Sequence, residues 1–140
     1  MGQSIRSTIT GTGSYIPLNK VKNEDFLATQ FYESNGAKVS KTTDQVIAKF
    51  REITTIKERR HISDDLVTSD LAYFAGEKAV DSASMDRESL DMIIVAHNFG
   101  DVKKDLYNLD IVPSLASRVK FKLGIENPET IAFDVCFGCP

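Results

Sequence analysis

The sequence predicts a layered α/β fold around a mostly parallel sheet, and three observations carry that reading. Residues 91–96, Asp-Met-Ile-Ile-Val-Ala, are almost continuously apolar over strand length, the pattern of a strand buried on both faces of a parallel sheet. Residues 131–135, Ile-Ala-Phe-Asp-Val, form a second short, largely apolar run. Between them, after Pro113-Ser114, Leu115, Val119 and Leu123 recur at i, i+4 and i+8 up to Gly124, which predicts a helix with one apolar face. Strand, helix, strand in that order implies parallel pairing with a right-handed crossover.

The remaining elements follow in order. Residues 5–12 alternate apolar with small polar residues and predict a strand that runs into a Gly13-Ser14-Tyr15-Ile16-Pro17 loop. Gly11-Thr12-Gly13 after a strand is a weak dinucleotide signal, because Ile16 stands where a third glycine is needed and Pro17 breaks the receiving helix. A glycine-permitted turn is the preferred reading. Asn23-Glu24-Asp25 predicts a capped helix over 24–32, stopped by Ser34-Asn35-Gly36. Thr43 caps a further helix over 44–52, with Val46, Ile47, Phe50 and Ile53 as its core face. Residues 57–61, Lys-Glu-Arg-Arg-His, read as a charged connector, by default a solvated face and alternatively a contact for an anionic substrate. Thr68-Ser69-Asp70 opens the strongest helix, running to about Ser84, and its small residues allow close packing against a sheet. Segments 37–43 and 100–110 are expected to be mobile loops, and no internal repeat or low-complexity tract is present.

Composition narrows the function. A chain of 140 residues with 41% hydrophobic and 26% charged residues is an ordinary globular chain, long enough for one domain. Its net charge of −3 and scattered basic residues argue against a nucleic-acid partner. No stretch approaches a membrane span and no secretory leader is evident, so no membrane association and a cytoplasmic location are expected. The two cysteines, Cys136 and Cys139, are too close and too few for a disulfide framework.

Chemistry concentrates at the end of the chain, in Cys136-Phe137-Gly138-Cys139-Pro140. A strand, a small-residue corner, a cysteine and a proline suited to the first position of a helix have the profile of a nucleophile turn. A cysteine at a helix N-terminus is favoured as thiolate and is a better nucleophile for it. Cys-x-x-Cys also suits a dithiol redox site, although no helix follows within the chain. A zinc half-site is disfavoured, since there is no second pair and His61 and His97 are lone residues far away in sequence; neither histidine is given a catalytic role. The bland alternative is two small buried apolar side chains.

The chain resembles the ketoacyl-acyl carrier protein synthase III family of condensing enzymes, of thiolase-like fold, in segments spread over nearly its whole length. Gly11-Thr12-Gly13-Ser14-Tyr15-Ile16-Pro17 is similar to that family's opening strand and loop, and Ile56-Lys57-Glu58-Arg59-Arg60 to its Gly-Ile-Arg-Glu-Arg stretch. Ser69-Asp70-Leu71-Ala72 resembles the start of its long helix, residues 91–96 its second strand, and Pro113-Ser114 with Leu123-Gly124 the bracket of the next helix. Phe133-Asp134-Val135 followed by Cys139 has the spacing of its nucleophile motif.

The resemblance implies a thiolase-like layered α/β/α architecture, with residues 1–140 as an N-terminal half ending just after the nucleophile. It implies that Cys139 is the catalytic acyl acceptor and that Val112 is substrate-binding, at a position reaching into a partner subunit's acyl pocket. It further implies no permanently bound cofactor and no metal, acyl-CoA or acyl-ACP and malonyl-ACP as substrates, and acyl carrier protein and a second copy as partners. The chain departs from the pattern in having no tryptophan: the family's adenine-side Trp and Arg fall near Lys49 and Ile53. The family's catalytic His and Asn belong to its C-terminal half, so the 140-residue piece alone is expected to be inactive and to leave apolar surface exposed. Two alternatives of other classes stand beside this one: a non-catalytic interaction or dimerisation half-domain, and a dithiol oxidoreductase using Cys136 and Cys139.

Overall fold

The computed structural model describes residues 6–103 and 108–137. In chain order the elements are β1 (Asn19–Lys22), α1 (Thr43–Thr54), β2 (Glu58–His61), α2 (Thr68–Ala83), β3 (Met92–His97), α3 (Leu115–Lys122) and β4 (Ile131–Cys136), with single 3-10 turns at Asn23–Phe26 and Arg87–Ser89. They divide into two units, Met1–Tyr15 with Asp64–Pro140, and Ile16–Ser63.

The larger unit is the predicted α/β layer. Strands β3 and β4 pair in parallel, from Met92 opposite Ile131 to His97 opposite Cys136, and α3 forms the crossover between them. Leu115, Val119 and Leu123 are buried as their spacing predicts, and Ile125 joins them. Ala72 and Tyr73 of α2 and Ile93 and Val95 of β3 pack on the cluster of Val119, Leu123 and Ile125. Each fully buried Leu or Val contributes about 1.5–3 kcal/mol, so the cluster is what joins α3 to the sheet. Ser114 caps α3 by accepting from the Ser117 N–H, and Gly124 at φ 70° ends it in the left-handed conformation.

Among the described residues, only one face of this sheet is covered. Ile93, Val95 and His97 alternate with Met92 and Ile94, which are 45% and 54% exposed; on β4, Ile131, Phe133 and Val135 are also exposed. The expectation of burial on both faces is therefore met on the helix side alone.

The expected strand over 5–12 is absent from its described part. Residues 6–15 carry no regular structure, and Ile9 is exposed, because no strand among the described residues lies alongside to take their backbone hydrogen bonds. The glycines there serve close approach rather than phosphate binding. A Cβ on Gly11 would stand 2.5 Å from the Ala79 carbonyl oxygen, and one on Gly13 would stand 2.2 Å from that of Ala75. The small residues of α2 and the glycines thus meet backbone to backbone. Tyr15 stacks at a tilt on Phe74, at 4.8 Å, and the Lys78 ammonium donates to the Ser14 carbonyl.

The smaller unit corrects three expectations. The helix foreseen over 24–32 is only a 3-10 turn at Asn23–Phe26; Tyr32 then bridges to Lys38 around Asn35-Gly36, with Gly36 at φ 81°. Asn-Gly here closes a miniature hairpin instead of stopping a helix. The charged connector at 57–61 contains β2, antiparallel to β1 with Asn19 opposite His61 and Lys22 opposite Glu58. On α1, whose cap is Thr42 rather than Thr43, Val46 is buried, but Phe50 and Ile53 are exposed.

Candidate active site

Strand alternation points Ala132, Asp134 and Cys136 toward the helix side of β4. Asp134 is the hub of this region. Its Oδ2 accepts the Leu115 N–H at 2.7 Å and bonds His97 Nε2 at 3.0 Å, while its Oδ1 accepts the Ala116 N–H at 2.8 Å. The carboxylate therefore sits on the N-terminus of α3, where free N–H groups and the helix dipole favour an anion. Burial works against the charged form of Asp134, but the Ala116 and Leu115 N–H groups and the His97 ring outweigh it and hold its carboxyl below the usual range.

His97 lies at the end of β3 with its side chain 3% exposed. The Gly100 N–H donates to Nδ1 at 2.9 Å, so that nitrogen carries no proton, and Nε2–H is the donor to Asp134. The ring thus bridges the two strand ends. The histidine that the sequence gives no catalytic role is a satisfied polar residue. Cys136 Sγ lies 3.9 Å from Nε2, and the residue is a free, exposed cysteine.

The strand end itself is sharply turned. Phe137 has φ 55°, unusual for a bulky residue, and its N–H donates to the His97 carbonyl at 2.9 Å. Cys139, with Gly138 and Pro140, lies outside the described residues.

A second polar cluster holds the loop between β3 and α3. Asp101, 3% exposed, accepts the Ser69 N–H and hydroxyl at 2.7 Å each, which closes the N-terminus of α2. Arg118 of α3 donates to Asp101 at 2.8 Å and grips Asp110 with both terminal nitrogens, at 3.0 and 2.5 Å. Its Nε donates to the Pro113 carbonyl at 3.0 Å. Asp110 foremost, against the effect of burial, and then Asp101 keep the guanidinium more firmly protonated than usual, while Arg118 holds the Asp110 carboxyl below its ordinary range. Val112, the expected substrate-binding residue, is 81% exposed beside a cis peptide bond to Pro113. The expected loop over 100–110 is tied at both ends by the Asp101–Asp110 backbone pair; residues 104–107 lie outside the described residues. Sequence reading missed Asp101, Arg118 and the role of Asp134; Arg118 meets Asp101 across 17 positions and Asp134 meets His97 across 37.

In the smaller unit, Arg59 of the charged stretch lines an apolar hollow of about 340 Å³ with Phe26, Phe31, Ile47 and Phe50. Among the described residues, no cluster of three or more His, Cys, Asp or Glu could hold a metal ion, and no helix is long and apolar enough to cross a membrane.

No protein-family model matches the chain. Over 139 residues, 99% of its length, it is 37% identical to a beta-ketoacyl-[acyl-carrier-protein] synthase III of Xanthomonas campestris pv. campestris. The chain is a homologue of these synthase III enzymes. It spans about a third of such a relative, 36% of the Xanthomonas protein. Among solved structures, synthase III of Thermus thermophilus superposes with a TM-score of 0.62 at 29% identity, covering 96% of this chain and 34% of the other. Synthase III of Aquifex aeolicus gives 0.60 at 27% identity, covering 91% and 34%. The fold is accordingly the thiolase-like α/β fold of the synthase III enzymes, with no tryptophan on the α1 segment.

Proposed function

We propose that this chain is the N-terminal part of a condensing acyltransferase in which Cys139 is the acyl acceptor. The observation that supports this most is the 37% identity to synthase III over nearly the whole chain. By the resemblance read from the sequence, Phe133-Asp134-Val135 followed by Cys139 has the spacing of that family's nucleophile motif. The turn at Phe137, held by the His97 carbonyl, is consistent with a nucleophile presented beyond a strand end.

The reaction runs in two steps. The Cys139 thiolate attacks the carbonyl of an acyl thioester, on coenzyme A or acyl carrier protein, and expels the carrier thiolate to leave an acyl-enzyme thioester. Malonyl-acyl carrier protein then loses carbon dioxide. The electron pair left on its α-carbon attacks the acyl-enzyme carbonyl and expels the Cys139 thiolate, giving 3-oxoacyl-acyl carrier protein. The Cys139 backbone N–H contributes to the oxyanion hole. Val112 borders the acyl pocket of a second copy in a homodimer. No permanent cofactor takes part, the partner is acyl carrier protein, and the setting is the cytoplasm. The His and Asn that assist decarboxylation belong to the family's C-terminal half, so the 140 residues alone do not complete the condensation.

The complete natural protein, given an acyl thioester and malonyl-acyl carrier protein, is expected to release carbon dioxide and form the 3-oxoacyl product. Loss of both in Cys139→Ala supports the reading, and unchanged product in that variant overturns it. A second reading, a non-catalytic half-domain that docks on another chain, draws support from the exposed apolar sheet face of Met92, Ile94, Ile131, Phe133 and Val135. It predicts no turnover from a complete, folded protein.

A further inference from the structure

We propose that Arg118 is a positioning residue for acyl-chain selection, because its one guanidinium grips the loop on both sides of Val112. The inference rests on the reading of Val112 given above. Asp110 lies two residues before Val112 and takes both terminal nitrogens, while Pro113, the next residue after it, gives its carbonyl to Nε. Val112 is 81% exposed, so side-chain packing does little to fix it.

The division of bonds within the cluster separates this role from a general structural one. Asp101 already accepts two hydrogen bonds from Ser69, which completes the α2 terminus without Arg118. Of the four side-chain donations that Arg118 makes among the described residues, one goes to Asp101 and three go to Asp110 and Pro113, which flank Val112. The arginine is itself rooted in the first turn of α3, its N–H bonded to the Ser114 carbonyl at 3.1 Å. The loop base leans on Gly100, where an added Cβ would stand 2.5 Å from Ile111 Cγ2. A planar fork with a third donor at Nε fits this triple grip; a lysine presents a point charge and cannot reproduce it.

A well-defined pocket separates substrates differing by one methylene by about 10- to 200-fold, and a loosened wall loses that discrimination. The test uses the complete natural protein and a series of saturated acyl thioesters of increasing length, with loading rates on Cys139 read by intact mass. Arg118→Met and Asp110→Asn should each reduce the ratio between preferred and disfavoured lengths, Arg118→Met by at least about fivefold. Hydrogen exchange at the mutually bonded Asp101 and Asp110 amides should accelerate in Arg118→Met while α2 stays protected. Unchanged length ratios, or unchanged exchange at those amides, overturn the proposal. Asp110, whose side chain is 54% exposed, supplies the deciding variant if Arg118→Met fails to fold. Val112→Ala separates the two readings: unchanged ratios there refute the role of Val112, whereas altered ratios there with none in Arg118→Met refute only the role of Arg118.

Discussion

Replacing Asp134 by Asn tests the junction of β4, β3 and α3 with little change of shape. The carboxylate receives three donors: Leu115 N–H and His97 Nε2 at Oδ2, and Ala116 N–H at Oδ1. An amide oriented with its oxygen in the Oδ2 position keeps the first two as weaker neutral bonds and turns its NH2 toward the Ala116 N–H. One charge-assisted bond is then lost outright and a buried donor faces a donor, a loss of about 2–3 kcal/mol. At about 1.4 kcal/mol per factor of ten, amide exchange at Ala116 should accelerate about 30- to 150-fold, with a smaller effect at Leu115. The assay is residue-resolved hydrogen exchange on wild type and variant. Equal protection at Ala116 in both proteins would refute the assignment of Asp134 as the anchor of α3. Uniform acceleration through α2, α3 and the sheet would instead mean that the residue acts on the whole fold.

Two further predictions follow from the same packing. Gly13→Ala places a methyl 2.2 Å from the Ala75 carbonyl oxygen and 2.4 Å from the Ala79 nitrogen, so it should lower stability by about 1–3 kcal/mol in denaturant unfolding, whereas an unchanged midpoint would mean that the segment does not lie on α2. Asp134 has a folded pKa below its unfolded value near 3.9, so its stabilisation is fully present above that pH and is lost as pH falls through the folded pKa. Unfolding midpoints taken between about pH 7 and about pH 3 should fall more steeply in wild type than in Asp134→Asn, and parallel curves would contradict the linkage.

What the sequence showed depended on whether the physics was local. Leu115, Val119 and Leu123 announce α3 because a helix repeats every 3.6 residues and one face must be buried. Strands β3 and β4 were legible from their apolar runs, and their parallel pairing from the helix between them. Strands β1 and β2 were not, since Glu58, Arg59, Arg60 and His61 pair through the backbone while exposing polar side chains, which leaves no period to read. The false helix over 24–32 came from acidic residues after Asn23, whose side-chain amide instead donates to the Ile56 carbonyl. For the candidate site, the Cys-x-x-Cys motif was visible in the sequence. The polar contacts of β4 and of the loop before α3 were not: Asp134 meets His97 across 37 positions and Arg118 meets Asp101 across 17, distances that local pattern cannot encode.

The central claim is that Cys139 takes the acyl group, and intact mass reads it directly. The complete natural protein is incubated with a short set of acyl thioesters, alongside Cys139→Ala and Cys136→Ala. An acyl adduct present in wild type and Cys136→Ala and absent from Cys139→Ala is the predicted result, and its mass names the primer. No adduct on a complete, folded protein, or one that persists in Cys139→Ala, would contradict the account.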